Sequence, residues 1–440
     1  MGTNKHNISV KHQLPSLQDF KTLPALPTPG TKQTTGAQRL KKKLLFIVPN
    51  AKLQLLIFMI VLYAAVNYLS VFDHATSSLV SDIRRMIFVA NLFVIYIGVL
   101  VLPEPSKQRG SALFWKVVQA SAVAYALNIF AWLFFSKDNL QIMLRDIFDS
   151  KLGKPLGEKS YAEDCRVFTP ENPTSYFYNI VSSVDMFVAA HFLGWTFKII
   201  IFRNSAMAWT LSVGFEIMEW TMEVWLPNFK ECWWDHFLFD LFGCNLIGML
   251  IGQWAINKFK MRKLSWFVER TDSWDQLSYW EKFKYCFTVR EEHKKSGKWH
   301  WLSELWCFNA VIWYGFLNLY LDLSYFYNKS SMEIPPPHWL CSVRIWILAS
   351  FAIIASNDYY DYVVNRFCTS MTLPIFVIHA IMILEGLLFL KNIKPGLFDS
   401  PLHYQMKVFW IIAGVAMAAT QLVLIFEKSR RSATNVKKLK

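Results

Sequence analysis

The chain has 440 residues, and 46 Lys and Arg against 32 Asp and Glu give a formal charge of +14. Charged residues make up only 18% and apolar ones 54%, with 36 Phe and 19 Trp, which is too apolar for a disordered chain and unusual for a soluble enzyme. The seven Cys form no C-x-x-C pair, which argues against a zinc module or a disulfide framework.

Residues 1–43 carry Pro15, Pro24, Pro27, Pro29 and Gly30 among polar residues, with no apolar period, and are expected to be a disordered basic tail. The cluster Arg39–Lys43 precedes a full-length apolar segment, so it is not part of a secretory leader. His6 stands where N-myristoylation needs Ser or Thr. Long uncharged stretches follow, among them Leu53–Phe72, Val117–Phe135 and Val408–Phe426. A helix needs ~20 mainly apolar residues to cross the hydrocarbon core. Ten segments qualify as candidate spans: 53–72, 86–103, 113–135, 182–202, 206–226, 235–256, 301–322, 339–357, 367–390 and 407–426. The expected fold is therefore all-α, a polytopic membrane protein with about ten transmembrane helices over residues 44–427, followed by a basic tail at 428–440. No repeat of 20–50 residues is visible.

The basic blocks read as topology signals rather than as a nucleic-acid surface. The tail at Arg39–Lys43, the eleven Lys and Arg of 257–298 and the Lys428–Lys440 block all fall on one side, expected to be the cytosol together with both termini. The opposite loops 323–337 and 391–404 are poor in Lys and Arg, whereas Arg84 and Arg85 run against the rule. Asn328-Lys329-Ser330 is a glycosylation sequon in an expected outer loop. Lys437-Lys438-Leu439-Lys440 resembles the dilysine retrieval signal of endoplasmic-reticulum membrane proteins.

Polar groups crowd spans four to six. Span four holds Asp185, His191 and Lys198; span five holds Glu216, Glu219 and Glu223. The turn Leu226–Asp235 adds Lys230 and Glu231, and span six adds His236, Asp240 and Asn245. Each intramembrane charge costs at least ~2–3 kcal/mol, so these groups should converge on an internal, water-accessible cavity. The i, i+3, i+7 spacing of Glu216, Glu219 and Glu223 puts them on one helix face. So many carboxylates repel unless a cation sits among them, and oxygen ligands favour Ca²⁺, Mg²⁺ or Mn²⁺ over zinc. Elsewhere His379 reads as a packed core residue, and Glu385 with the Asp358/Asp361 pair as interfacial. There is no G-x-S-x-G elbow, no Gly-rich phosphate loop, no H-E-x-x-H and no Asp-Gly dipeptide, the last excluding a CDP-alcohol phosphotransferase signature. Two other classes compete: a cation-coupled transporter or channel, which should show inverted repeats, and a membrane-bound acyltransferase with His379 as its base.

His191-Phe192-Leu193-Gly194-Trp195, Glu216-x-x-Glu219, the run Leu226-Pro227-Asn228-Phe229-x-Glu231-Cys232-Trp233-Trp234-Asp235, then Asp240 and Cys244-Asn245 resemble the base-exchange phosphatidylserine synthases of eukaryotes. The resemblance is dense over 183–252 and weaker around Tyr161–Cys165, Ser303–Leu305 and Tyr359-Tyr360. The 257–298 loop diverges. What the resemblance implies is a Ca²⁺-dependent enzyme of the endoplasmic-reticulum membrane, with Mn²⁺ as a substitute ion. It would exchange the choline or ethanolamine headgroup of phosphatidylcholine or phosphatidylethanolamine for L-serine, on the lumenal side. Glu216, Glu219, Glu231 and Asp235 are then the expected metal ligands. His191 is the base for the serine hydroxyl or a covalent phosphatidyl carrier, and Asn228, Asp240 and Asn245 orient serine or the ligands. The partners implied are the membrane and these two substrates, with no nucleic acid; a homodimer is left open.

Overall fold

In a membrane every backbone N–H and C=O must find its partner within the protein, which confines spanning segments to helices or closed barrels. The computed structural model obeys the first solution. It describes residues 78–104, 110–156, 162–184, 186–270, 273–288, 299–365, 371–393 and 395–439, with Ile60, Tyr63 and Ala64. The expected tail 1–43, most of the expected first span 53–72, and Asp185 lie outside the described residues. The helices are α1 (Leu79–Val101), α2 (Ala112–Trp132), α3 (Lys137–Ile147), α4 (Tyr178–Ser183), α5 (Met186–Phe202) and α6 (Ser205–Met222). Then come α7 (Asp235–Lys258), α8 (Tyr279–Phe287), α9 (Leu305–Ser331), α10 (Trp339–Val364), α11 (Leu373–Lys391) and α12 (Tyr404–Leu439). Among the described residues there is no strand, only an isolated bridge between Val268 and His300.

Every expected span that falls on described residues is helical, but the count of about ten is not reproduced. Six helices of the described residues are long and apolar enough to cross a membrane by themselves: α1, α2, α7, α10, α11 and the Tyr404–Arg430 part of α12. The expected spans 182–202, 206–226 and 301–322 became α5, α6 and α9. Helix α5 is 17 residues long. Helices α6 and α9 fall short because polar groups dilute them, Glu216 and Glu219 in one, Asn309, Asn318 and Asp322 in the other.

Helix starts are marked by short polar side chains that accept from exposed backbone N–H groups, as an N-cap must. Ser78, Ser111, Ser136 and Asn204 each accept from the residue three ahead. Asn204 closes the tight turn between α5 and α6, and its Nδ2 also donates to the Leu264 carbonyl at 2.8 Å. The 259–288 segment is docked by Trp266, whose indole donates to the Phe202 carbonyl at 2.9 Å and stacks on Tyr314 with centroids 4.1 Å apart.

The α5–α7 contact is the closest helix pairing around the polar residues. A Cβ on Gly248 would stand 2.5 Å from the Phe192 carbonyl oxygen, and one on Gly252 would stand 2.2 Å from Ile199 Cγ2. The pair reads Gly-x-x-x-Gly, the spacing that puts two hydrogens on one face and lets membrane helices touch backbone to backbone.

A second buried knot joins α2, α9, α10 and α11. Arg344 pairs with Glu385 at 2.7 Å; Tyr125 donates to the same carboxylate at 2.5 Å and Ser324 at 2.8 Å. Glu385, read from sequence as interfacial, is 2% exposed. Asn328 also departs from expectation. The segment 323–337, expected to be an outer loop, is helical as far as Ser331, and the Asn328 amide donates to the Glu385 carbonyl at 3.0 Å. Its side chain is built into the α9–α11 contact, so the sequon is not an accessible glycosylation acceptor.

Removing one partner of a buried pair costs more than removing both, since the survivor's charge is left without compensation. Glu385→Gln is therefore expected to destabilise the protein by roughly 3–5 kcal/mol, read as a lowered melting temperature in detergent. The double variant Arg344→Met with Glu385→Leu should melt closer to the unaltered protein than Glu385→Gln does.

Candidate metal and catalytic site

The first half of α7, Asp235–Asn245, is wound as a π-helix. Such wide turns are rare and concentrate at functional sites. Here the winding gathers Asp235, His236, Asp240, Cys244 and Asn245 on the buried side and leaves Phe237, Leu238 and Phe242 outside. Gly243 sits where an added Cβ would stand 3.0 Å from the Leu238 carbonyl oxygen, a close approach that only glycine permits without adjustment.

The buried side of this turn faces α5 and α6. From α5, His191 Nδ1 lies 2.9 Å from Asp240 Oδ1. From α6, Glu216 is held through both oxygens: Asn245 Nδ2 donates to Oε1 at 3.2 Å, and His236 Nδ1 lies 3.1 Å from Oε2. The Asn245 amide also donates to Ser212 Oγ at 3.0 Å. Two more carboxylates close on the same imidazole nitrogen, Glu219 Oε2 at 3.9 Å and Glu231 Oε2 at 3.6 Å. Both of those oxygens, and His236 Nε2, are buried with no hydrogen-bond partner.

Glu216, Glu219, His236 and Asp240 each offer a ligand atom, and these atoms all lie within 4.8 Å of one another. Unpartnered buried carboxylate oxygens cost free energy that a cation would return. Three carboxylates and one imidazole match a hard divalent ion with mainly oxygen ligands. Of the four ligands expected from sequence, Glu216 and Glu219 fall in this group and Glu231 borders it. Asp235 is buried at the start of the π-helix. Asp240, expected to orient serine or the ligands, stands against His191 and itself offers an atom to the ligand group. Asn245 anchors Glu216, and Asn228 lies in the 3₁₀ turn Pro227–Phe229. The sequence reading assigned no role to His236. Its i, i+4 spacing to Asp240 was visible, but only the fold shows that it faces Glu216.

The turn between α6 and α7 lies outside both helices, yet burial, then the charges of Asp240, Asp235 and Glu216, hold the Glu231 carboxyl well above the usual carboxylate range. That turn is tied down from the other side by a disulfide between Cys232 and Cys165. The Trp234 indole donates to the Cys165 carbonyl at 3.2 Å. Beside Cys165, the Arg166 guanidinium bridges Asp164 and Glu171; it holds the Asp164 carboxyl below its ordinary range, and the backbone N–H of Glu171 itself, then Arg166, does the same for Glu171.

His379 is set apart from this site. Its Nε2 accepts from the Trp313 indole at 3.0 Å and its Nδ1 lies 2.7 Å from the Ile375 carbonyl oxygen. Both ring nitrogens are engaged within the bundle, as expected for a packed core histidine, which leaves an acyltransferase reading without its base.

A model of the family described as phosphatidyl serine synthase matches residues 111–393. The chain belongs to that family. Phosphatidylserine synthase 2 of Danio rerio is 29% identical over 360 residues, 81% of this chain and 78% of that protein. CDP-diacylglycerol–serine O-phosphatidyltransferase 1 of Arabidopsis thaliana is 28% identical, covering 79% of this chain and 81% of its own length. CDP-diacylglycerol–serine O-phosphatidyltransferase 2 of Oryza sativa subsp. japonica is 30% identical over 72% of this chain and 73% of that protein. As a family member the chain is a transferase of phospholipid synthesis carried on membrane helices.

Two expectations follow from the geometry. Asp240→Asn keeps the shape but can hold the imidazole with the wrong nitrogen protonated, so turnover should fall about 10²–10⁴-fold with the fold intact. His191→Ala should abolish turnover, and steady-state kinetics on both purified variants checks the pair. Gly252→Val pushes a branched side chain into Ile199 and the Thr196 carbonyl. It should cost about 1–3 kcal/mol of stability and also reduce turnover, because separating α5 from α7 pulls His191 off Asp240; melting curves and activity should fall together.

Proposed function

We propose that the protein makes phosphatidylserine by base exchange, replacing the choline or ethanolamine headgroup of a phospholipid with L-serine. The observation that carries this is the His191–Asp240 pair set against a buried group of carboxylates. Asp240 accepts from Nδ1, which leaves Nε2 of His191 as the basic nitrogen. Nε2 takes the proton of the serine hydroxyl as its oxygen bonds to phosphorus. The bond from phosphorus to the old headgroup oxygen breaks, and the imidazolium returns the proton to that departing alcohol. Glu216, Glu219, His236 and Asp240 would hold a divalent ion, proposed to be Ca²⁺ with Mn²⁺ able to substitute, and Glu231 borders it. When bound, such an ion neutralises charge developing on phosphoryl oxygens.

Two of the relatives are named for CDP-diacylglycerol as donor. Base exchange is favoured here because the chain contains no Asp-Gly dipeptide with which a CDP-alcohol phosphotransferase signature could begin. We further propose that the chain resides in the endoplasmic-reticulum membrane with both termini cytosolic and the site towards the lumen. The Cys165–Cys232 disulfide supports this, since such bonds persist in oxidising compartments. So do Lys258, Lys260, Arg262 and Lys263, at and just beyond the other end of α7 from that disulfide.

The purified protein should incorporate labelled serine into lipid from phosphatidylcholine or phosphatidylethanolamine vesicles, and not from CDP-diacylglycerol. Activity should vanish in excess EGTA and return with Ca²⁺. Because the ligands must shed protons, the Ca²⁺ midpoint should move to lower concentration as pH rises. Glu216→Gln and Glu219→Gln should each raise that midpoint more than they raise KM for serine. Full activity in EGTA would remove the ion from the proposal; transfer from CDP-diacylglycerol alone would replace base exchange.

A further inference from the structure

Helix α5 carries a second polar side chain that the site does not use. Lys198 lies two turns beyond His191, and Gly194 lies between them at i+3, so all three share one face. The Lys198 ammonium lies 2.6 Å from Asp322 of α9. Lys198 is 18% exposed and Asp322 27%, so the pair is not sealed within the bundle, although both helices lie among the membrane spans. A structural ion pair at this depth would be expected to bury itself as Arg344 and Glu385 do, with further donors closing the carboxylate.

Between His191 and Lys198, a Cβ added at Gly194 would meet no atom within 4 Å beyond its chain neighbours, one of which, Trp195, places its ring centre 4.3 Å from the Lys198 ammonium. One aromatic ring spans both ends of the gap: the His191 ring packs edge-on to Phe215 at 6.2 Å, and the Lys198 ammonium sits 4.8 Å from the centre of that same ring. The two Cα atoms are separated by about 10 Å along the helix axis. Side chains tilt towards a helix N-terminus, so the long Lys198 stem leans back towards His191 and shortens the distance between the two groups.

We propose that Lys198 and Asp322 receive the charged ends of the incoming amino acid, Lys198 its α-carboxylate and Asp322 its α-ammonium, with the hydroxyl turned towards His191. This rests on the base-exchange reading above. The charges balance in both states. Without substrate the two residues neutralise each other; with a zwitterion between them each has a new partner of opposite sign, and no net charge enters the membrane. A cationic alcohol such as ethanolamine or choline satisfies Asp322 alone and leaves Lys198 unpaired. The arrangement therefore selects an amino acid over the headgroup it displaces.

The test compares L-serine with its methyl ester, which lacks the carboxylate charge, and with 3-hydroxypropionate, which lacks the ammonium. The unaltered protein should prefer serine over both. Lys198→Met should raise KM for serine about ten- to hundredfold, leave kcat within a few-fold, and lose the preference over the methyl ester. Asp322→Asn should lose the preference over 3-hydroxypropionate instead. The double variant Lys198→Met with Asp322→Leu leaves no unpaired charge, and its melting temperature in detergent checks that it folds. A double variant that folds and keeps the serine KM and both preferences would overturn the proposal and make the pair a structural one, whatever the fate of the single variants. Unaltered protein that incorporates no serine from any phospholipid would overturn the base-exchange reading, and this proposal with it.

Discussion

Helices α5 and α7 touch backbone to backbone, and the rest of the site is arranged around that contact. Gly248 and Gly252 remove the side chains that would otherwise hold the helices apart, and Phe192, Thr196 and Ile199 fill the groove they leave. In lipid such closeness is favourable through packing alone, because there is no water to expel between the helices. It brings His191 within hydrogen-bond reach of Asp240. The carboxylates of α6 then have a common focus, because α6 returns from α5 through the tight Arg203-Asn204 turn and must lie alongside it.

Charge in the membrane is handled in two ways within one bundle. Around Glu385 every lone pair is spoken for: a guanidinium, a phenol and a serine hydroxyl converge on one carboxylate. That arrangement stiffens four helices. Around Glu219 and Glu231 the opposite holds, with acids gathered and one buried oxygen of each left unpartnered. A fold that satisfies one carboxylate so completely could have satisfied the others, and the difference separates a structural knot from a place that binds something.

Much of this was legible in the sequence. The helical class followed from long uncharged runs, and the polar cluster of spans four to six stood out against them. The run from Leu226 to Asp235 pointed to the family that the comparisons then showed. What the sequence did not reveal was direction. Spacing put Asp240 in the cluster but could not say that it faces His191, since an α-helical wheel misplaces residues along a π-wound segment. Asn328 matched a sequon by composition, yet its helix continues through the expected loop and its amide is engaged. Glu385 was read as interfacial because nothing local marks Arg344, some forty residues earlier, as its partner. The Gly248-x-x-x-Gly252 spacing was present and readable, and its meaning needed the neighbouring helix.

The π-wound start of α7 gives that helix two phases. Its first part aims His236 and Asp240 at chemistry, and its second part aims Gly248 and Gly252 at α5; the wide turns set the angle between the two aims. A single residue deleted between these two parts, at Leu241 or Phe242, would keep every functional side chain and the apolar character of the helix. It would nevertheless rotate one part against the other by about 100°, the angle one residue subtends in an α-helix. Helix length is thus a functional quantity here in its own right. Relatives of this chain should tolerate exchange of the lipid-facing Phe237, Leu238 and Phe242 far better than any insertion or deletion among them.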